Sequence, residues 1–439
     1  MNAQKLRVVP CLLFTLAALL MVSSALAAQA QTAGPESASP AATAPTVTTF
    51  HFTDKGDDRA GRMTTDAAGN FYVSASLAST SHSSGFGILK YNFNGTLQGV
   101  FHYTSAPGEF EAAARAVKVD KQGNIFAAGL SNISGLVVSF TSAGVQRWSD
   151  RFGGGAGNPV ALTIDASGNV YVAGTTGNGG SDGAGPITQW DIVKYSNSGT
   201  VLWEQHHTGD PSLDSRVTDI QLDSAGNPIV LGTTSNSPVT LTNNMTLVKF
   251  DPNGNRLWAR DFTVALNSQI PGGFAIDHAG NVYATSLTNP PEGLNVASTV
   301  KYAPNGVRKL VLQGQHAGGT SVAIDPAGDI VLTGETINFA APPTIEAMKI
   351  HPSGARVWVT PIAATGKILS DSAGNLFVAG TPDFVATKLS PAGTVLFSSS
   401  LLPGDDVSDA AVDAFDDLLV TGVGVNAQFE HDIFIVRLK

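Results

Sequence analysis

The sequence predicts an all-β fold, an eight-bladed β-propeller with four antiparallel strands in each blade. Three observations carry this prediction. A short pattern, Asp-x-x-Gly-Asn or a close variant followed by an apolar run, recurs eight times at intervals of 42 to 58 residues, a period typical of repeat architectures. Between residues 46 and 439, β-branched runs alternate with Gly and Asn turns, without a helical period. The copies begin at Asp66, Asp120, Asp165, Asp223, Asp277, Asp325, Asp371 and Asp413.

The first half of each repeat predicts two strands, A and B, joined by a tight turn. The turn Asp can accept N–H groups two residues on, and the turn Gly supplies a positive φ. Strand A alternates between apolar and polar residues, whereas strand B is apolar on both faces, as in Val170-Tyr171-Val172-Ala173. A strand that is buried on both faces belongs to a sheet packed between two others. Four-stranded sheets stacked around an axis form a propeller.

The second half of each repeat predicts strands C and D. Val193-Lys194-Tyr195 leads through a turn ending at Gly199 to Trp203, and other copies repeat this order. The cation of strand C is expected to pair with turn groups of its own or the next blade, and the Trp of strand D to pack between blades. The strand C cations are Lys90, Lys194, Lys249, Lys301, Lys349, Lys388 and Arg437, with Ser139 in the second copy. The strand D tryptophans are Trp148, Trp203, Trp258 and Trp358.

The two ends of the repeat region are complementary. The last copy ends with the strand C residues 433–439 and lacks a strand D. Residues 46–53, which precede the first copy, have the character of a strand D. The N-terminal strand is therefore predicted to complete the last blade, which closes the ring and covers the last sheet edge.

The segment before the propeller has the features of an export signal. Lys5 and Arg7 precede an apolar run over residues 11–21, which is too short to span a bilayer, and small residues follow it. We expect a signal peptide over residues 1–30, a disordered Ala/Pro/Ser/Thr linker over 31–45 and the propeller over 46–439. The protein is then secreted, periplasmic or part of the cell envelope. The sole cysteine, Cys11, leaves with the signal.

The charge balance excludes one class of partner. The formal net charge is −10, and it becomes −12 once the signal with its two bases is removed. An acidic surface repels phosphate backbones, so nucleic acid is not an expected ligand. We also expect no membrane span after signal removal, no cofactor apart from a Ca²⁺ ion, and a monomer.

The repeated sequence motifs resemble the SBBP repeats, the β-propeller repeats of secreted bacterial proteins. Asp165-x-x-Gly-Asn-Val-Tyr-Val-Ala-Gly and Val193-Lys-Tyr-x-x-x-Gly-x-x-x-Trp carry the resemblance, which covers nearly all of residues 46–439. It implies a bacterial envelope or extracellular protein and no established activity. Copy 8, Asp413-Ala-Phe-Asp-Asp, departs from the pattern because it lacks the Gly.

The motifs predict binding rather than catalysis. The sequence has no Gly-x-Ser-x-Gly elbow, His-Glu-x-x-His motif or phosphate-binding loop. We therefore expect a binding or scaffold module that recognises a protein, glycan or cell-envelope ligand on the face formed by the D–A and B–C connections. The alternative is a propeller enzyme, namely a lyase, hydrolase or quinone-dependent dehydrogenase, with its site at the mouth of the axial channel. A charged cluster around the axis would favour the enzyme.

Three features of the variable face are candidate sites. Trp190 lies off the repeated Trp position and could stack on a ligand. Ring closure is expected to bring Asp57 and Asp58 close to Asp405 and Asp406 in an acidic seam, where Asp405, Asp406 and Asp58 could bind Ca²⁺. His206 and His207 are adjacent at a strand end, so their side chains point apart. A metal site there would need further ligands.

Overall fold

The structure, a computed structural model, shows eight four-stranded antiparallel sheets in the residues that it describes. No helix among these residues is long and apolar enough to cross a membrane. The prediction of eight blades is confirmed. The signal predicted for residues 1–30 and the linker predicted for residues 31–45, apart from residue 45, lie outside the described part. The described residues are 45–52, 56–78, 85–104, 112–131, 134–155, 157–177, 188–209, 215–235, 242–264, 268–289, 296–314, 316–338, 341–381, 384–401, 406–425 and 430–439.

Seven of the blades are each built from four consecutive strands, and the eighth combines the first strand with the last three. The first four blades contain β2 Arg59–Thr65, β3 Phe71–Leu77, β4 Gly85–Tyr91, β5 Leu97–His102; β6 Ala112–Val119, β7 Ile125–Ser131, β8 Ser134–Phe140, β9 Gln146–Phe152; β10 Gly157–Ile164, β11 Val170–Gly177, β12 Thr188–Tyr195, β13 Val201–His207; and β14 Ser215–Leu222, β15 Pro228–Ser235, β16 Asn243–Phe250, β17 Arg256–Phe262. The other four contain β18 Ser268–Ile276, β19 Val282–Asn289, β20 Val296–Tyr302, β21 Arg308–Gln313; β22 Ser321–Ile324, β23 Ile330–Asn338, β24 Ala341–Ile350, β25 Arg356–Pro361; β26 Thr365–Ser370, β27 Leu376–Thr381, β28 Val385–Leu389, β29 Val395–Ser400; and β30 Asp406–Val412, β31 Leu418–Val425, β32 His431–Leu438, with β1 Val47–Phe52.

The ring closes as the sequence predicts. The innermost strands pack side by side around the axis, and β30 of the last blade packs against β2 of the first. Strand β1 pairs antiparallel with β32, from Val47 opposite Leu438 to Phe52 opposite Ile433. The N-terminal strand thus supplies the outer strand of the eighth blade and covers the edge of β32.

The core lies between neighbouring blades. The second strand of each blade is buried on both faces, and Val170, Tyr171, Val172 and Ala173 are all fully buried. Each such strand packs against the sheet before it and the sheet after it, because side chains alternate between the two faces. Strand B is therefore buried for the reason that its continuous apolar pattern predicts.

The A–B turns are held by their aspartates. In the first blade, Asp66 accepts N–H bonds from Ala68 and Asn70, both at 2.9 Å. The turn residue that is usually Gly has a left-handed backbone, with φ of 78° at Gly69. In the eighth blade Asp416 occupies this position with φ of 64°, and its carboxylate accepts the Ser372 hydroxyl bond. The eighth turn keeps its shape without the Gly because Asp tolerates this region better than most residues.

The strand C cations tie adjacent blades together. Lys194 Nζ donates to Pro252 O of the next blade at 2.9 Å and lies 3.8 Å from its own turn carboxylate, Asp165. In the second blade, where Ser139 replaces the cation, Arg147 of strand D donates to Ser139 Oγ at 3.0 Å and to Asn197 Oδ1 at 2.6 Å. The expected pairing is confirmed for six of the seven cations, Lys388 lies over the Phe377 ring instead, and in the second blade an Arg on the neighbouring strand replaces the missing cation.

The strand D tryptophans make a second set of contacts between blades. Trp148 Nε1 donates to Asn197 O at 2.9 Å, and Trp203 Nε1 donates to Pro252 O at 3.0 Å. Each acceptor lies in the C–D turn of the following blade. Trp258 and Trp358 repeat the bond to Pro304 O and Pro391 O. The predicted packing role of this position is confirmed.

Candidate functional site

One repeat position of the innermost strands carries four of the charged side chains that meet at the axis. This position lies four residues before each turn aspartate. Charged residues hold it in four blades, and small residues hold it in the other four. In chain order its occupants are Arg62, Ala116, Ala161, Asp219, Gly273, Ser321, Lys367 and Asp409.

A β-bulge precedes this position in most blades. The pairing of strands A and B shifts between Val217 and Asp219 in the fourth blade and between Val407 and Asp409 in the eighth. Equivalent shifts occur in the first, second, third and fifth blades. A bulge re-aims the side chain that follows it. This local geometry explains how Asp219 and Asp409 reach the axis, whereas Lys367 reaches it from a strand without a bulge.

Two ion pairs lie at the axis, one between distant blades and one between neighbouring blades. Arg62 Nη1 of the first blade lies 2.7 Å from Asp219 Oδ1 of the fourth blade, and Arg62 Nη2 donates to Thr218 O at 3.0 Å. Lys367 Nζ of the seventh blade lies 2.6 Å from Asp409 Oδ1 of the eighth. The other oxygen of Asp409 accepts the Met63 N–H at 2.8 Å. Burial opposes ionisation of Asp409, but Lys367 and this N–H outweigh it and lower the pKa of the carboxyl group.

Lys118 is the fifth charge in the cluster, and it makes no salt bridge within the described part of the chain. It lies within electrostatic reach of Arg62, Asp219, Lys367 and Asp409. Its side chain still reaches solvent. The surrounding channel wall disfavours its charge, and the positive Lys367 repels it, so the pKa of Lys118 is lowered. An anion that entered the channel would relieve both effects.

The inner strands are positive in an acidic protein. Strands β2, β6, β10, β14, β18, β22, β26 and β30 carry six basic and three acidic side chains, a net charge of +3. The whole chain has a net charge of −10. Arg59 and Arg216 lie at the beginning of their strands, towards the face of the D–A connections. A channel wall of one sign raises the local concentration of ligands of the opposite sign.

Comparisons with known proteins agree with the fold. A streptogramin B lyase is 11% identical, with a TM-score of 0.52, over 91% of this chain and 100% of that one. A catalytically inactive virginiamycin B lyase from Staphylococcus aureus with quinupristin is 10% identical, with a TM-score of 0.50, over 90% and 100%. Identities this low show a shared fold alone. No protein-family model and no curated protein matches the sequence, so the resemblance to SBBP repeats stays a prediction.

Trp190 is a packing residue rather than an exposed stacking surface. Its side chain is fully buried, and its indole N–H donates to Thr233 O of the fourth blade at 3.1 Å. A Cβ built on Gly232 would lie 2.5 Å from the indole ring. His207 contacts the ring edge to face, with the ring centroids 5.2 Å apart. The predicted ligand role of Trp190 therefore gives way to a contact between the third and fourth blades.

This packing role predicts a stability effect. The substitution Trp190→Phe is expected to lower the free energy of unfolding by about 2 kcal/mol, because it leaves a void and an unpaired Thr233 carbonyl. The measurement is chemical denaturation followed by circular dichroism. Trp358→Phe is the control, since its indole is partly exposed, and its expected loss is about half as large. Equal stability of Trp190→Phe and the wild type would contradict the buried role.

Two of the three described aspartates of the predicted acidic seam have separate partners. The Asp58 side chain is fully buried and accepts the Ala78 N–H at 2.8 Å. Asp57 accepts the His431 N–H at 3.0 Å, and this bond is the main cause of its lowered pKa. Asp406 is exposed at the start of β30. Asp405 lies outside the described residues, so a Ca²⁺ site that includes it stays a prediction.

Sequence reasoning missed most of the axial cluster. Alignment of the eight copies on their turn aspartates puts Arg62, Asp219, Lys367 and Asp409 at one position, and this was the available signal. Strand alternation alone did not show that the position faces the axis, because the bulges change which way it points. Lys118 lies two residues after Ala116, which occupies this position in the second blade. Only the structure shows that Lys118 lies near the four charged residues.

Proposed function

We propose that this protein is an exported binding module that holds an anionic group of its ligand at the axial channel, entered from the face of the D–A and B–C connections. One observation carries the proposal: the inner strands are positive in a chain of net charge −10, and Lys118 makes no salt bridge in the described part of the chain. The proposed ligand is an oligomer that bears carboxylate, sulfate or phosphate groups.

The two ion pairs support a binding role. Arg62 with Asp219 and Lys367 with Asp409 fix the side chains at the axis before a ligand arrives. Preorganisation of this kind lowers the ordering cost of binding. Lys118 is the cation left for the ligand, and Arg59 lies closer to the mouth.

Binding of anionic oligosaccharides tests the proposal. Oligogalacturonides are expected to bind, and neutral oligosaccharides of equal length are not. The substitution Lys118→Met should weaken binding by about tenfold, because it removes one charge-assisted contact. The measurement is isothermal titration calorimetry at low and high salt, and salt should weaken the binding.

A matched control separates the channel from general surface charge. Lys309 is an exposed lysine on the outer strand β21, so Lys309→Met makes the same change of charge away from the axis. Binding that falls equally in both variants, or that is the same for neutral sugars, would refute the channel site. An acidic peptide in place of the sugar tells whether the ligand is protein or glycan.

The placement of Lys118 at the axis, without a salt bridge in the described part of the chain, favours a second candidate, a lyase. A lysine amine in its neutral form can act as a base. Its amine would take the proton from the carbon next to a carboxylate, the C–O bond at the next carbon would break, and an unsaturated acid and an alcohol would result. Incubation of oligogalacturonides with the protein tests this function. Ultraviolet absorbance of the unsaturated product that appears with the wild type but not with Lys118→Met would support it.

A further inference from the structure

The third blade carries a second polar cluster away from the axis. Asp191 on β12 lies directly opposite His206 on β13. Glu204 is two residues before His206, so both side chains are on the same face of the sheet. One ligand atom from each of the three residues lies within 4.8 Å of the others. Among the described residues, no other group of three such side chains comes this close.

Asp191 is the buried member of the cluster. Its side chain is 2% exposed, and His206 Nδ1 lies 2.6 Å from its Oδ1. Gln189 Nε2 donates to the same oxygen at 3.2 Å. A carboxylate that is buried to this extent is stabilised by a cation placed beside it.

Independently, Gly153 in the connection between the second and third blades leaves room beside the Asp191 carboxylate. A Cβ built on Gly153 would lie 2.8 Å from Asp191 Oδ2 and 2.9 Å from Thr176 Oγ1, so both oxygens face the space that the missing side chain leaves. Thr176 is 8% exposed, and its hydroxyl has no hydrogen-bond partner in the described part of the chain. Gly153 belongs to a short 3-10 turn, Gly153–Gly155, in the D–A connection between the second and third blades.

We propose that Asp191, Glu204 and His206 bind a divalent transition-metal ion of the Zn²⁺ type at the edge between the second and third blades. An imidazole with two carboxylates is a donor set that suits Zn²⁺ better than Ca²⁺, which prefers oxygen ligands alone. Glu204 and His206 are exposed, so the ion can exchange with solvent. Three protein ligands leave a fourth position for water or for a ligand on the variable face.

Titration of tag-free, chelator-treated protein with Zn²⁺ tests the site by calorimetry and by the shift in melting temperature. The expected result is one ion per chain, with binding that weakens as the pH falls, because protons compete with the metal for the ligand atoms. His206→Gln and Glu204→Gln should each weaken binding by about tenfold or more. Both side chains are exposed, so the variants should fold, and circular dichroism checks this.

The control is His102→Gln, which removes another exposed His from the end of an outer strand, in the first blade. It should keep the affinity of the wild type. Absence of Zn²⁺ binding, or equal affinity of His206→Gln and the wild type, would overturn the site. Tighter binding of Ca²⁺ than of Zn²⁺ would overturn the proposed class of metal.

Discussion

A chain that lacks residues 1–52 is expected to melt about 6 °C below a chain that begins at residue 45, which corresponds to a loss of about 5 kcal/mol. The shorter chain has lost β1, the outer strand of the eighth blade. Phe50 of β1 packs against Phe71 and Tyr91 of the first blade, with ring centroids 5.9 and 6.3 Å apart. Removal of β1 therefore weakens both the last sheet and its contact with the first.

The chain that begins at residue 45 is the control for this deletion, because it keeps β1. The melting temperature is measured by differential scanning calorimetry, and light scattering reports association through the uncovered edge of β32. A synthetic peptide of residues 45–52 should restore part of the stability of the shorter chain by adding back the strand. The same peptide with Phe50→Ala should restore less. Equal melting temperatures of the two chains would show that β1 does not hold the ring closed.

Repetition made the fold predictable from one sequence. A single Asp-x-x-Gly-Asn turn is weak information, but eight copies fix which strand is buried on both faces and where each blade begins. The last copy lacks a strand D, and residues 46–53 have the character of one. The sequence therefore also predicted the pairing of β1 with β32. Even the exception at Ser139 follows the pattern, because Arg147 supplies the missing cation.

The sites were harder to predict because they depend on the direction of single side chains. Asp58 looked like part of a surface seam, but it points inward and accepts the Ala78 N–H. Trp190 was expected to stack on a ligand because it lies off the repeated Trp position, yet it packs against the next blade. The register of β12 and β13, which sets Asp191 opposite His206, could not be read from sequence because the connection between them fixes it.

The strand C cation stabilises both its own blade and the contact with the next blade. Lys249 Nζ lies 2.7 Å from Asp223 Oδ2 of its own blade and 3.4 Å from Pro304 O of the next blade. Its side chain is 3% exposed and that of Asp223 is 5% exposed. Lys249 thus compensates a buried carboxylate and links two blades at once. Lys388 occupies the equivalent place in the seventh blade, but it lies over the Phe377 ring and makes no salt bridge within the described residues.

The substitution Lys249→Met is expected to lower the free energy of unfolding by about 3 to 5 kcal/mol, because it leaves the Asp223 carboxylate buried without its cation. Lys388→Met is the matched control, with an expected loss of about 1 kcal/mol or less, since only a cation–π contact is removed. Urea denaturation at neutral pH measures both. Similar losses in the two variants would argue that the buried ion pair adds nothing beyond packing.

Acid titration gives the same pair a second test. Burial alone would raise the pKa of Asp223, but the bonds from Lys249 and Asn227 outweigh it and hold the pKa below its ordinary value. A carboxyl whose pKa is lower in the folded state stabilises the protein above its unfolded pKa of about 4, and this stabilisation is lost as the pH falls through the folded value. The wild type should therefore lose stability between about pH 5 and pH 2, and Lys249→Met should lose less over the same interval. Parallel curves for the two proteins would mean that Lys249 does not control the ionisation of Asp223.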